Sequence, residues 1–304
     1  MANTNSIPPE SVLLSKLMSE HRIQNFDFAE PKIRTKWAGT VAGIKNAGKT
    51  TNAINMYESV LLIDFDGNGK DSKETLVSRH IMKSEDIFVL DARKYLSERP
   101  TPNDYLLNYF YIKEACKKFK GKYSGVIVDT IDGLEEMLVE KARYLYGSSS
   151  ANTASKNGLT WQGWSDRTVT LIELWNLFLD TATVGVTYIT DYNFFERVEE
   201  NKSVTIKVPK WFDIIRRESK YLIEIDQYTD FEAEQVKVKA KMWVSKNERI
   251  MKPAVELDIT GYKPIVDKRR FKEFFSESST NNNTSSSSEV TKETPVNSGG
   301  IDWS

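Results

Sequence analysis

One short segment limits what this chain can fold into. Residues 43–50 read Gly-Ile-Lys-Asn-Ala-Gly-Lys-Thr, which fits the pattern G-x-x-x-x-G-K-[ST] at every fixed position. An apolar run precedes the segment at residues 37–44, and a helix-forming run follows it at residues 50–57. Glycines let such a loop turn tightly, so that backbone N–H groups and the positive end of the following helix face a phosphate. The segment therefore predicts a P-loop that binds a nucleotide.

The P-loop pattern assigns a role to single residues. We expect Lys49 to bridge the β- and γ-phosphates and the Thr50 hydroxyl to bind Mg²⁺. A carboxylate at the end of a buried strand must complete the metal site, and Asp129 ends the apolar run at residues 125–129. The predicted ligands are therefore ATP and Mg²⁺. The predicted nucleotide-binding residues are Gly43, Ile44, Lys45, Asn46, Ala47, Gly48, Lys49, Thr50 and Thr51.

Hydrolysis also needs a group that orients or deprotonates water. Asp64 and Asp66 end the apolar run that follows the P-loop helix, in the sequence LLIDFDGNG. Both are also good turn residues before a glycine, so the pattern leaves open which of them, if either, is catalytic. Together with Lys49 they are the predicted catalytic residues. The D-x-x-G match at residues 64–67 does not indicate a GTPase, because no [NT]-K-x-D follows. No Arg-rich lid of a small-molecule kinase is evident either.

The apolar pattern predicts an α/β core between two polar segments. Up to residue 190, continuous apolar runs alternate with helical patterns, which indicates a mainly parallel sheet flanked by helices. Three later runs, at 221–225, 235–244 and 254–259, alternate and predict C-terminal antiparallel strands. We expect an N-terminal helix and linker at residues 1–34 and the core at 35–275. Residues 276–304 contain too few apolar side chains to fold and are predicted to form a disordered tail.

Composition excludes several classes of protein. The 42 Lys and Arg nearly balance the 43 Asp and Glu, so any nucleic-acid surface must be a local patch. One cysteine, Cys116, and two histidines argue against a disulfide and against a metal site built from these residues. No apolar run approaches the roughly 20 residues that span a bilayer, and the N-terminus lacks a signal-peptide pattern. We expect a cytoplasmic protein with no membrane partner.

The order of these parts resembles the RecA-like ATPases over about residues 35–260. It is most similar to the RecA-like single-strand-annealing ATPases of phages and archaeal viruses. The resemblance implies a RecA-like P-loop core that hydrolyses ATP and binds single-stranded DNA in annealing, recombination or replication. It also implies a homo-oligomer, as a ring or filament, in the host cytoplasm if the protein is viral. Asp66 stands where these relatives carry a water-activating glutamate, and Thr190-Asp191 stand where many carry a polar amide that senses the γ-phosphate.

The same resemblance places two DNA-binding loops, at residues 147–164 and 193–211. Single-stranded DNA needs cations for its phosphates and flat side chains for its bases. The DNA-binding candidates are Lys156, Trp161, Trp164, Arg197, Lys207 and Lys210. Residues 245–249 are similar to the element by which hexameric relatives reach a neighbour's nucleotide, so Lys246 and Arg249 are candidates to act in trans.

The sequence is also compatible with other functions. A helicase-loader-like or packaging ATPase, acting on a protein or on duplex DNA, would carry the same P-loop. A nucleotide binder that does not hydrolyse ATP is a third reading, since Asp66 is shorter than glutamate. The chain ends Ile301-Asp302-Trp303-Ser304, a tip that could dock on a replication or recombination protein, fold back onto the DNA site, or remain an inert solvated end.

Overall fold

The chain forms two compact units, Met1–Arg34 and Thr35–Ser304. The computed structural model describes residues 10–20, 36–147, 158–199, 202–210, 213–232, 234–245 and 256–266. In the first unit it describes helix α1, Glu10–Glu20. The helices of the second unit are α2 (Lys49–Ile54), α3 (Gly69–Ser78), α4 (Pro102–Lys118), α5 (Ile131–Tyr146), α6 (Trp161–Thr181) and α7 (Asp213–Glu218). Its strands are β1 (Trp37–Gly43), β2 (Val60–Asp64), β3 (Ile87–Asp91), β4 (Gly125–Asp129), β5 (Gly185–Thr190), β6 (Tyr192–Glu199), β7 (Lys202–Pro209), β8 (Tyr221–Asp230), β9 (Gln235–Ser245) and β10 (Glu256–Asp258).

Eight of these strands form one sheet in the order β10-β9-β8-β1-β5-β4-β2-β3. The six strands from β8 to β3 run parallel to their neighbours. Strands β9 and β10 continue the sheet antiparallel beyond β8, and β6 pairs with β7 as a separate antiparallel hairpin. The predicted fold class is confirmed: a mainly parallel sheet flanked by helices, extended by antiparallel strands.

Both faces of the parallel sheet are covered. In β2, Leu61 and Ile63 pack in a core with residues of α4, α5 and α6, and Leu62 packs in a second core with residues of α2 and α3. Successive strand residues point to opposite faces, so a strand covered on both sides needs an apolar residue at every position. This explains the continuous apolar runs of β1, β2, β4 and β5, whereas β3, at the end of the described sheet, leaves Phe88 38% exposed. The carboxyl ends of these strands, where the P-loop emerges, form the edge that carries the polar side chains.

Three elements differ from the prediction. Residues 221–225 pair parallel with β1, not antiparallel, and only the other edge of β8 is antiparallel. Their alternation arises because residues 221–225 are alternately buried and half-buried, not because of the direction of the strand. Helix α3 was not predicted, since Gly69 and Leu76 are its only buried residues. The predicted second loop, residues 193–211, is largely the hairpin β6–β7, as the alternating Val204, Ile206 and Val208 could have indicated.

No helix within the described ranges combines the length and the apolar character needed to cross a membrane.

Candidate functional site

The P-loop connects β1 to α2 and uses its two fixed glycines for different reasons. Gly48 has a φ of 78°, a left-handed conformation that glycine adopts without strain. Gly43 sits where a Cβ atom would lie 2.6 Å from the carbonyl oxygen of Ile225 in β8. A side chain at residue 43 would therefore push the loop away from the sheet. Asn52 closes the first turn of α2 by donating from Nδ2 to the carbonyl oxygen of Gly48 over 2.9 Å.

Lys49 and Thr50 begin α2 and point to partners on neighbouring strands. The Nζ atom of Lys49 donates to the carbonyl oxygen of Ile44 over 2.9 Å. The same Nζ lies 2.8 Å from Oδ1 of Asp191, the residue directly after β5. Thr50 donates from Oγ1 to Oδ2 of Asp129, at the end of β4, over 2.6 Å. The structure thus brings together the predicted phosphate-binding lysine and both predicted metal ligands.

Asp129 is a buried carboxylate whose charge is disfavoured in the absence of a cation. Burial raises the pKa of Asp129 to about 7, aided by the nearby Asp64 and Asp66 and opposed by the Thr50 hydrogen bond and by Lys49. A cation beside Asp129 would favour its charged form.

The donor set fits Mg²⁺. A hydroxyl and a carboxylate are hard oxygen ligands of the type that Mg²⁺ prefers, and this ion commonly takes one or two protein ligands together with nucleotide phosphates. Thr50 and Asp129 would hold the ion, which would offset phosphate charge. Within the described ranges, no group of three or more His, Cys, Asp or Glu is arranged to hold a metal ion. Nucleotide phosphates and water commonly supply the other ligands of a bound Mg²⁺.

These residues line a cleft of about 570 Å³, a volume in the range of small-molecule sites. One wall is the P-loop. Another includes Asp71, Ser72 and Thr75 of α3, the helix that the sequence analysis missed. The remaining polar side chains along the cleft include those of Asp66, Asn68, Arg93, Thr130, Asp132, Glu136 and Asp191.

The structure separates the two candidate carboxylates after β2. Asp64 is buried, and its two oxygens accept hydrogen bonds from the backbone N–H groups of Asp66, Gly67 and Gly69 over 2.8 to 3.1 Å. This carboxylate shapes the turn that starts α3 and does not line the cleft. Asp66 is exposed and lines it, with Oδ2 accepting from Nδ2 of Asn68 over 2.7 Å. Asp66 is therefore placed to meet a water molecule in the cleft.

The tryptophans predicted to lie in the first DNA loop belong to the first turn of α6. Thr160 caps this helix by accepting from the backbone N–H of Gly163 over 3.1 Å. Trp161 is 81% exposed, whereas Trp164 is 37% exposed, with the guanidinium of Arg167 4.6 Å from its ring centre. Lys156 lies outside the described residues.

The second set of DNA candidates lies on the β6–β7 hairpin. Arg197 belongs to β6, but its side chain is outside the described part of the structure. Lys207 in β7 is exposed and lies opposite Phe194, with its Nζ 3.5 Å from Asp226 and 5.5 Å from the ring centre of Tyr192. Lys246 and Arg249, the candidates to act in trans, and the whole predicted tail fall outside the described ranges.

Lys210, the last predicted DNA contact, is paired with an acidic residue of the cleft. Its Nζ donates to Oδ2 of Asp132 over 2.9 Å, and this bond raises the pKa of Lys210. Its backbone N–H donates to the carbonyl oxygen of Asp191 over 3.0 Å. Lys210 therefore joins the end of the hairpin to the cleft, and its charge is already paired.

Sequence reasoning overlooked Arg93, Asp132 and Glu136. All three line the cleft, from the segment after β3 and from the first turns of α5. One signal was available, because ligands of open parallel sheets bind at the carboxyl ends of the strands. Polar residues that follow β3 and β4 were therefore candidates, as those that follow β2 were.

A family model described as an AAA domain matches residues 35–249, from just before β1 to just after β9. The chain belongs to this AAA-domain family. With the P-loop geometry above, membership identifies a P-loop ATPase. Among solved structures, a KaiC-like protein from the hyperthermophilic archaeon Pyrococcus horikoshii OT3 is similar, with 13% identity and a TM-score of 0.44 over 76% of this chain and 89% of that one. No curated protein sequence matches this AAA-domain chain.

Proposed function

We propose that this AAA-domain protein hydrolyses ATP in the cleft and couples the nucleotide cycle to binding of single-stranded DNA, for annealing, recombination or replication. The supporting observation is the attachment of the β6–β7 hairpin. Asp191, directly before the hairpin, pairs with the P-loop Lys49, and Lys210, directly after it, pairs with Asp132 at the cleft. A phosphate that engages Lys49 competes with Asp191, so the start of the hairpin can respond to the nucleotide, while Lys210 attaches its end to the same cleft.

Hydrolysis follows from the groups that line the cleft. Lys49 binds the β- and γ-phosphates, and Asp66 orients a water molecule and takes its proton. The water oxygen attacks the γ-phosphorus, the bond from that phosphorus to the bridging oxygen breaks, and ADP leaves with the electron pair. Thr50 and Asp129 would hold Mg²⁺, which would neutralise part of the phosphate charge.

The hairpin has the chemistry that single-stranded DNA requires. Phe194 is 57% exposed and lies across from the cation Lys207, while Phe195, 54% exposed, points to the opposite face. An exposed ring can stack on any base, which contributes about 1–3 kcal/mol per base. The exposed pair of Lys207 with Asp226 is weak and screened by salt, so a DNA phosphate can replace the carboxylate.

A motor or switch that acts on a protein is the second candidate, and helix α6 favours it. Four apolar residues on one side of this helix are exposed: Trp161, Trp164, Val169 and Ile172. Such a stripe suits an apolar partner surface better than a phosphate backbone. The two candidates differ in salt dependence, because contacts to DNA phosphates release counterions and apolar contacts do not.

Steady-state ATP turnover with and without an oligo-dT strand tests the proposal. We expect the single strand to stimulate turnover more than duplex DNA does. Phe194→Ala should reduce the stimulation while leaving turnover without DNA unchanged. Phe231→Ala is the matched control, since Phe231 is 87% exposed at the turn between β8 and β9 and does not belong to the β6–β7 hairpin. Turnover that no DNA changes would contradict the DNA assignment and favour the protein-directed candidate.

A further inference from the structure

Arg93 is a cation at the cleft that has no part in the hydrolysis steps described above. It follows β3 by two residues and lines the cleft together with Asp66 and Glu136. Its backbone N–H donates to Oδ1 of Asp91 over 2.9 Å, which fixes the start of its segment. Its guanidinium forms no hydrogen bond or ion pair with any other described residue. Arg93 is exposed, so its guanidinium is accessible to an anion that enters the cleft.

The charges along the cleft indicate which group of a bound ligand Arg93 could contact. Its acidic residues are Asp66, Asp71, Asp129, Asp132, Glu136 and Asp191. Its cations, among the described residues, are Lys45, Lys49 and Arg93. The two lysines belong to the P-loop, so Arg93 is the one described cation that lines the cleft from another segment. Since the charge of Lys210 is paired with Asp132, Arg93 is the described cation available to a terminal phosphate that extends beyond the P-loop lysines.

The strand register brings Arg93 within reach of that phosphate. Asp64 lies level with Asp129 on one side and with Asp91 on the other, so β4, β2 and β3 end in line. Neighbouring strands are about 4.8 Å apart, which places the end of β3 about 10 Å from the end of β4. An extended arginine side chain covers most of that distance. Arg93 can therefore reach across Asp66 toward the space next to Thr50 and Asp129.

We propose that Arg93 is a catalytic residue that binds the γ-phosphoryl group in the transition state of ATP hydrolysis. The inference rests on the proposed function and extends it. As water attacks and the bond to the bridging oxygen breaks, negative charge spreads over the γ-phosphoryl oxygens and the leaving ADP. The planar guanidinium offers parallel N–H donors that match two such oxygens. The chain then supplies the stabilising cation to its own nucleotide site, independently of Lys246 and Arg249.

The test compares Arg93→Ala and Arg93→Lys with Lys94→Ala. Lys94 is the adjacent exposed cation, does not line the cleft, and lies near the rings of Tyr95 and Tyr111. We expect Arg93→Ala to lower kcat by about 100-fold or more, with little change in KM or in melting temperature. Arg93→Lys should recover part of the rate, and Lys94→Ala should match the wild type.

A second readout separates transition-state binding from ordinary nucleotide binding. Arg93→Ala should weaken binding of ADP–aluminium fluoride with Mg²⁺ by a factor close to the loss in kcat, and should leave ADP binding unchanged. Wild-type turnover in Arg93→Ala, or equal weakening of both ligands, would overturn this inference and leave the proposed function standing. A wild-type protein that neither binds nor hydrolyses ATP would overturn the proposed function, and this inference with it.

Discussion

The P-loop Lys49 is paired with the carboxylate of Asp191, whose Oδ1 lies 2.8 Å from the lysine Nζ. Nucleotide phosphates need the same cation, and the carboxylate both competes for it and repels their charge. Asp191→Asn should therefore raise the affinity for ATP, by about tenfold or 1.4 kcal/mol. Calorimetric titration with Mg·ATP measures this. Asp180→Asn is the control, since Asp180 pairs with Lys120 and does not line the cleft. Weaker binding by Asp191→Asn would show that this residue helps to hold the nucleotide.

Substitution of Asp64 and of Asp66 by asparagine should have different effects. Asp66→Asn should retain ATP binding and the melting temperature and lose most of kcat, because the amide cannot take up the proton of water. Asp64→Asn should lower stability by about 1–3 kcal/mol, because its new NH₂ group would face a backbone N–H that now donates to a carboxylate oxygen. Thermal unfolding and single-turnover hydrolysis distinguish them. Full turnover in Asp66→Asn would remove Asp66 from the mechanism.

Two hairpin variants should weaken DNA binding by removing different interactions, an ionic contact in one and base stacking in the other. Lys207→Gln should weaken binding to all sequences and reduce the slope of log affinity against log salt, because one fewer counterion is released. Phe194→Ala should weaken binding with no change in that slope, because stacking is not ionic. Fluorescence anisotropy of a labelled single strand at several salt concentrations gives both numbers. If both variants bind like the wild type, the hairpin is not the DNA surface.

Lys210 should couple DNA binding to ATP turnover and should contribute little to DNA affinity. Because its charge is already paired with Asp132, Lys210→Gln should leave the salt slope of DNA binding close to that of the wild type. It should reduce the stimulation of ATP turnover by DNA, since the hairpin loses one attachment to the cleft. The double variant Lys210→Asp with Asp132→Lys should recover part of the stimulation. A lower salt slope in Lys210→Gln would instead return Lys210 to the DNA-contacting set.

Much of the nucleotide site could be predicted because its signals are local in sequence. The spacing from Gly43 to Thr50 fixes a loop between a strand and a helix, and Asp129 ends an apolar run that is typical of a buried parallel strand. The direction of β8 could not be read in this way. Alternating burial reports how well a strand is covered, and it occurs in parallel and antiparallel edges alike.

Roles that depend on side-chain contacts were out of reach. Asp64 and Asp66 are the same residue type two positions apart, and only the turn geometry shows that Asp64 bonds to backbone while Asp66 faces the cleft. The pairing of Lys210 could not be predicted, because its partner Asp132 lies 78 residues away in the chain. Arg93 follows a strand whose position beside β2 is set by the sheet order and not by any motif.

The central claim is that ATP is hydrolysed at the cleft formed by Lys49, Thr50, Asp129 and Asp66. The most direct measurement is phosphate release by the wild type and by Lys49→Ala, with Mg·ATP and single-stranded DNA present, after thermal unfolding has shown that both are folded. The account predicts steady, magnesium-dependent turnover by the wild type and a loss of nearly all of it in Lys49→Ala, because the cation that binds the β- and γ-phosphates is gone. Equal turnover by the two proteins would contradict it.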